Sequence, residues 1–159
     1  MTMPVHRSST TPEVTLTLVT KTAYLCSVRA FVESYAQRTG FSHHQAGHIV
    51  LALDEALANV IRHGYHGSEH ERVSVAFWAV SHDTLGPGLQ IVIDDEGEQI
   101  DPTAVRGRDL DDVKPGGLGV HIMRQVMDDV HYERRPQRGM RLTLVKLINS
   151  QAPVCRECS

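Results

Sequence analysis

Two apolar runs on either side of a short polar stretch constrain this chain more than anything else in it. "RVSVAFWAV" (residues 72–80) and "LQIVIDD" (residues 89–95) flank "HDTLGPG" (residues 82–88). Runs this rich in β-branched and aromatic residues read as strands, and so short a loop folds the second back on the first as a hairpin. "HYERR" and "MRLTLVKLI", joined by the turn "PQRG", repeat the pattern near the end and read as two closing strands.

Helical periods lie between these pairs. "VTLTLVT" (residues 14–20) alternates like a strand, after which Leu25, Val28, Val32 and Tyr35 recur at three and four until Gly40 ends the period. Ser42 with Gln45 three residues on forms a capping box that opens a second helix. Its stripe is Ala46, Ile49, Val50, Leu53, Leu57, Val60 and Ile61, and "HGYHGSEH" breaks it. Asp101 and Pro102 begin a short helical piece, and "RGRDLDDVKPGG" reads as a polar connection without period. "LGVHIMRQVMDDV" (residues 118–130) reads as a helix with Leu118, Ile122, Val126 and Met127 on one side. Antiparallel hairpins with helices grouped between them predict an α+β two-layer sandwich, helices on one face of the sheet. A doubly wound nucleotide fold does not fit this order, and the absence of G-x-x-x-x-G-K-S/T excludes a P-loop.

Composition narrows the class further. The 159 residues suffice for one domain with a real core, which one Trp and three Phe leave mainly aliphatic. A net charge of -3 leaves no basic excess, which argues against direct nucleic-acid binding by phosphate neutralisation. No stretch reaches the roughly 18 to 20 apolar residues of a membrane helix. "MTMPVHRSSTTPE" lacks the apolar run of a secretory signal, so a cytoplasmic home is expected. Residues 1–13 read as a disordered tail and residues 149–159 as a second tail, around one domain at 14–148. Cys155 and Cys158 form a lone C-x-x-C in that second tail, and no second pair exists to complete a structural zinc site. His44 and His48 stand four apart, with no third ligand at helical spacing, and read as surface histidines.

Three polar constellations carry chemistry. Glu55 and Asn59 project together one helical turn apart, roughly 6 Å along the axis and opposite Leu53 and Val60. Asp95 and Gly97 stand at the carboxyl end of an apolar strand, where an Asp can accept from an exocyclic amine and a Gly admits a flat ring. Gly116, Gly117 and Gly119 open a helix, and glycine backbone at a helix start exposes N–H groups that favour phosphate. Each alone has an ordinary structural explanation. Together, in this order, they outline an ATP site.

"DEALANVIRHGY", "IDDEGEQIDP" and "GGLGVHIMRQVMDDVHYE" resemble the N box and the two Gly boxes of the GHKL (histidine-kinase-like) ATPases. Within that superfamily the chain is most similar to the small bacterial anti-sigma-factor serine kinases, over residues 14–146. The resemblance implies a two-layer sandwich with a mixed, mainly antiparallel sheet, and ATP with Mg²⁺ as cofactors. Asn59 would coordinate the Mg²⁺, and Glu55 would be the catalytic base toward the attacking serine hydroxyl. Asp95 would bond the adenine amino group with Gly97 under the ring. Gly117, Leu118 and Gly119 would set backbone against the phosphates, His63 and Gly64 would border the nucleotide, and residues 106–116 would form the lid. The implied partners are a STAS-domain anti-sigma antagonist, a sigma factor and a second copy of the chain. The histidine-phosphoacceptor helices of sensor kinases are not expected. Two departures stand out: Gln99 occupies the place of a second Gly, and Gly139-Met140-Arg141 replaces a Gly followed by Thr, which implies an altered adenine rim. A non-catalytic module that binds ATP and sequesters a protein is the competing reading; a metal-binding regulator built on the histidines and the C-x-x-C is a third.

Overall fold

The computed structural model describes residues 3–102 and 118–148. Among these, strands β1 (His6–Arg7), β2 (Val14–Val19), β3 (Arg72–His82), β4 (Gly86–Asp94), β5 (Asp129–Arg134) and β6 (Met140–Leu147) form one sheet, and every pairing is antiparallel. Both β1 and β2 flank β3, and the order continues through β4 and β6 to β5. Helices α1 (Leu25–Arg38), α2 (His43–Asn59) and α3 (Leu118–Val126) cover one face. The α+β sandwich expected from the sequence is therefore present, and the described sheet is antiparallel throughout.

Local chemistry explains most boundaries. Ser42 Oγ accepts from Gln45 N and the Gln45 amide oxygen accepts from Ser42 N, so the capping box at α2 is complete. Ala46, Ile49, Leu53, Leu57 and Ile61 of its stripe are buried, and Ala52 and Ala56 join them where α2 meets its neighbours. Removing one such Leu side chain costs about 2–5 kcal/mol in a core of this kind. The β3–β4 hairpin is tighter than "HDTLGPG" implies, because His82 pairs with Gly86 and only residues 83–85 turn. The His82 imidazole accepts from the N–H groups of Thr84 and Leu85, standing in for the backbone partners a longer loop would need.

Two expectations are corrected. The last helix stops at Val126, and Asp129 already lies in β5, because Asp128 N bonds Val145 O while its carboxylate accepts from Leu147 N. That carboxylate also pairs, at 3.6 Å, with Lys146, a buried cation that periodicity does not reveal. The inner side of α3 is Val120 and Met123, followed by Met127; Leu118 is 66% exposed. The N-terminal segment is the second correction. From Met3 onward it lies on the outer sheet face: Met3 and Val5 pack on Trp78, Val80, Val92, Val145 and Leu147. The Arg7 guanidinium sits 3.9 Å over the Trp78 ring, and Met3 N donates to Asp129. Ser, Thr and Pro composition carries no periodic signal, but an open apolar sheet face and a free stretch of β3 edge supply partners from elsewhere.

Candidate active site

Glu55 and Asn59 lie half-buried on α2, on the side that meets the start of α3. The contact is made at Gly119: a Cβ there would stand 2.5 Å from Glu55 Oε2 and 3.5 Å from Asn59 Nδ2. The glycine thus lets one helix start against the carboxylate and amide of another. Asn59 also hydrogen-bonds the Tyr132 hydroxyl from β5. Burial pushes that phenol up to about 12, against the opposing pulls of the Asn59 bond and the Arg124 charge, so the hydroxyl stays protonated. Tyr132 is a partner of Asn59 that sequence reasoning missed. Its place opposite Asn59 depends on the β5–β6 register, which pairs it with Leu142.

The other end of the cleft begins where α2 changes pitch. Residues Val60–Gly64 form a π turn, with Tyr65 N donating to Val60 O at 3.0 Å. Such single π turns recur at functional sites because they re-aim the backbone. Here the turn presents Gly64 to the loop after β4: Glu98 N donates to Gly64 O, and Gly97 packs so closely that any side chain on it would overlap the Gly64 peptide. His63 is exposed beside this contact. Tyr65 is buried, donates to Arg72 O and accepts from Glu96 N at 2.7 Å, and so anchors the loop from below.

Asp95 is 4% exposed. Its Oδ1 accepts from Gly97 N at 2.8 Å and from Met140 N at 3.2 Å. Its Oδ2 makes no hydrogen bond among the described residues, and it is not sealed from the surface. Burial pushes the carboxyl above the ordinary aspartate range; the two N–H bonds and the Arg135 charge pull it back, while Asp94 adds to the rise. A half-satisfied carboxylate with one oxygen left over suits a donor brought by a ligand, such as an exocyclic amine. Around it Gly97 packs on the Gly64 peptide and Gly139 on the Asp95 peptide, so backbone meets backbone at this end of the cleft. An amide oxygen at Asn59 is a hard donor of the kind Mg²⁺ accepts alongside phosphates and water. The residues present fit both groups.

Gly116, Gly117, the lid at 106–116 and most of the helical piece begun at Asp101 lie outside the described residues, as do Cys155 and Cys158. The His44 and His48 rings meet at 4.2 Å, but among the described residues no three His, Cys, Asp or Glu side chains gather as a metal site. A separate groove of about 590 Å³, lined by Leu16, Leu18, Tyr24, Val28 and Phe31, lies between β2 and α1, on elements that supply none of these polar groups. No helix of the described residues is long and apolar enough to cross a membrane.

Comparison with known proteins points the same way. Serine-protein kinase RsbW of Listeria monocytogenes is 27% identical over 146 residues, covering 87% of this chain and 89% of the relative. The protein of that name from Halalkalibacterium halodurans is 27% identical over 154 residues (92% and 88% covered). Its Bacillus subtilis counterpart is 24% identical over 136 residues (80% and 81%). Among solved structures, a chain of the SiaB-SiaC complex from Pseudomonas aeruginosa shares the fold, with a TM-score of 0.62 at 14% identity, covering 84% of this chain and 89% of that one. The histidine kinase-like ATPase domain family matches residues 18–146. The chain belongs to the histidine kinase-like ATPase family.

Proposed function

We propose that this protein is an ATP-dependent serine/threonine protein kinase of the anti-sigma type, acting in the cytoplasm. Its substrate is a STAS-domain antagonist, and it sequesters a sigma factor while that antagonist is phosphorylated; the working form is a homodimer. The observation that carries the catalytic part is the meeting of the Glu55 carboxylate and the Asn59 amide at Gly119, on the cleft side of α2. The related serine-protein kinases, similar over most of their length, support the same activity.

When bound, ATP would supply the γ-phosphoryl group and Mg²⁺ would neutralise charge on its oxygens. Asn59, steadied by Tyr132, offers its amide oxygen to the metal. Asp95 Oδ2 would accept from the base amino group, beside the contact of Gly97 with Gly64. Glu55 orients the substrate hydroxyl and takes its proton as the new O–P bond forms and the bond to ADP breaks. Positioning and charge neutralisation do most of the work in phosphoryl transfer.

The test is transfer of labelled γ-phosphate to a purified STAS-domain antagonist by wild type and Glu55→Gln. A general base contributes roughly 10²–10⁴-fold, so transfer should fall by that factor while ATP binding persists. Transfer at the wild-type rate removes Glu55 from the role. Asn59→Ala should abolish the Mg²⁺ dependence of ATP-induced thermal stabilisation, which at one hundred times the dissociation constant is about 2.7 kcal/mol in wild type.

A further inference from the structure

The two departures from the family pattern, Gln99 and the Gly139-Met140 pair, touch each other. Gln99 Nε2 donates to Arg135 O at 2.7 Å and to Gly139 O at 3.2 Å. From the opposite side, Arg135 Nη1 donates to Asp95 O at 2.5 Å, and Arg134 Nε donates to Ile100 O at 3.0 Å. The loop after β4 and the β5–β6 turn are therefore tied by side chains running in both directions. Gly139, at φ +79°, lies directly on the Asp95–Glu96 backbone, leaving no room for a side chain between the two segments.

The consequence falls on Asp95. Its Oδ1 is held by one N–H from each segment, Gly97 from its own loop and Met140 from β6. The direction of Oδ2 is then set by the relative placement of loop and turn. Hydrogen bonds between exposed groups contribute little to global stability, and ordering a glutamine costs side-chain entropy. A long amide bridging two carbonyls at this one place has a local effect: it removes the freedom of the turn that carries Met140. Met140 itself is buried and offers an apolar side chain, so it supplies no polar side-chain contact in the place of the family's Thr.

We propose that Gln99 and Arg135 are positioning residues for base recognition, a two-way clasp that aims the Asp95 carboxylate and sets the preference for a 6-aminopurine triphosphate. This rests on the reading of Asp95 as the acceptor of the base amine. A glycine at position 99 would have no side chain to make this bridge, whereas Gln99 ties the loop to the turn.

The test is calorimetric titration of Mg·ATP and Mg·ITP, which carries a keto oxygen where ATP carries the amine, into the full chain. A hydrogen bond to a charged acceptor corresponds to roughly tenfold or more, so wild type should prefer ATP by about that factor. Gln99→Ala combined with Arg135→Ala should reduce the ratio to about twofold, chiefly by weakening ATP, with ITP affinity unchanged within about twofold. Arg135→Lys in an otherwise wild-type chain, which keeps a charged donor, should retain most of the preference. Should the double variant melt early, the single alanine variants carry the test, each lowering the ratio by about threefold. Folded variants with the wild-type ratio overturn the clasp alone. A wild type that binds both nucleotides equally overturns the reading of Asp95, and the clasp with it.

Discussion

Glycines at the two ends of the cleft look alike in the sequence and differ in what they face. At the Asp95 end, Gly97 lies against the Gly64 peptide and Gly139 against the Asp95 peptide, backbone on backbone. At the Glu55 end, Gly119 faces the tip of the Glu55 side chain and the Asn59 amide. Backbone cannot step aside, whereas a carboxylate on two methylenes can. A glycine requirement at one end is therefore about whether the chain folds; at the other it concerns where the Glu55 carboxylate points.

The largest effect should come from Gly139→Ala, where the new methyl meets the Asp95 carbonyl and the positive φ adds strain. A loss of about 3 kcal/mol or more is expected, lowering the thermal midpoint of a chain this size by roughly 10 °C. A midpoint within 2 °C or so of wild type would erase the difference between the two ends. Gly119→Ala should do the reverse. Alanine is favoured over glycine in a helix by up to about 1 kcal/mol, so the midpoint should hold or rise. Displacement of Glu55 should meanwhile cut phosphate transfer by at least roughly tenfold. Loss of stability like that at Gly139 would show that the Glu55 end is equally rigid.

Asp95→Asn sharpens the comparison from the side-chain direction. Burial raises the Asp95 pKa in the folded protein, which therefore holds that proton more tightly than the unfolded chain. The sign follows: ionised Asp95 costs stability above its folded pKa, and the cost disappears as pH falls through that pKa toward the ordinary aspartate value. Asparagine carries no charge and keeps an oxygen for Gly97 and Met140, so at pH 7 the variant should be as stable as wild type or slightly more so, within about 1 kcal/mol. Its ATP affinity should fall at least roughly tenfold, because an amide donor would face the base amine. Equal ATP affinity would remove Asp95 from the site. The smallest effect is expected for Tyr132→Phe, which deletes the partner of Asn59: the Mg²⁺ concentration for half-maximal ATP binding should rise about three- to tenfold. An unchanged Mg²⁺ requirement would leave Tyr132 a packing residue.

Much of this was legible before any coordinates. The capping box, the α2 stripe and the hairpin strands are local patterns, and local physics is enough to write them. Elements whose ends are decided by distant partners are not legible in this way. Asp128 looks helical until Lys146 and the Val145 carbonyl claim it, and residues 3–7 look shapeless until Trp78 lies beneath them. Glu55, Asn59, Asp95 and the glycines proposed for the site stand out by spacing and resemblance. Tyr132, Tyr65 and Arg135 do not, because each contributes through a contact with a residue at least 31 positions away.

The sequence by itself determined the elements, the face each one buries and the polar residues held in reserve, since helical and strand periods are properties of neighbours along the chain. Only the tertiary structure decided that Gly119 would meet Glu55, that Gly97 would rest on Gly64, and that Gln99 would reach the turn behind Asp95. Those meetings depend on strand register and on a single π turn, both set by the packing of the whole sheet against its helices.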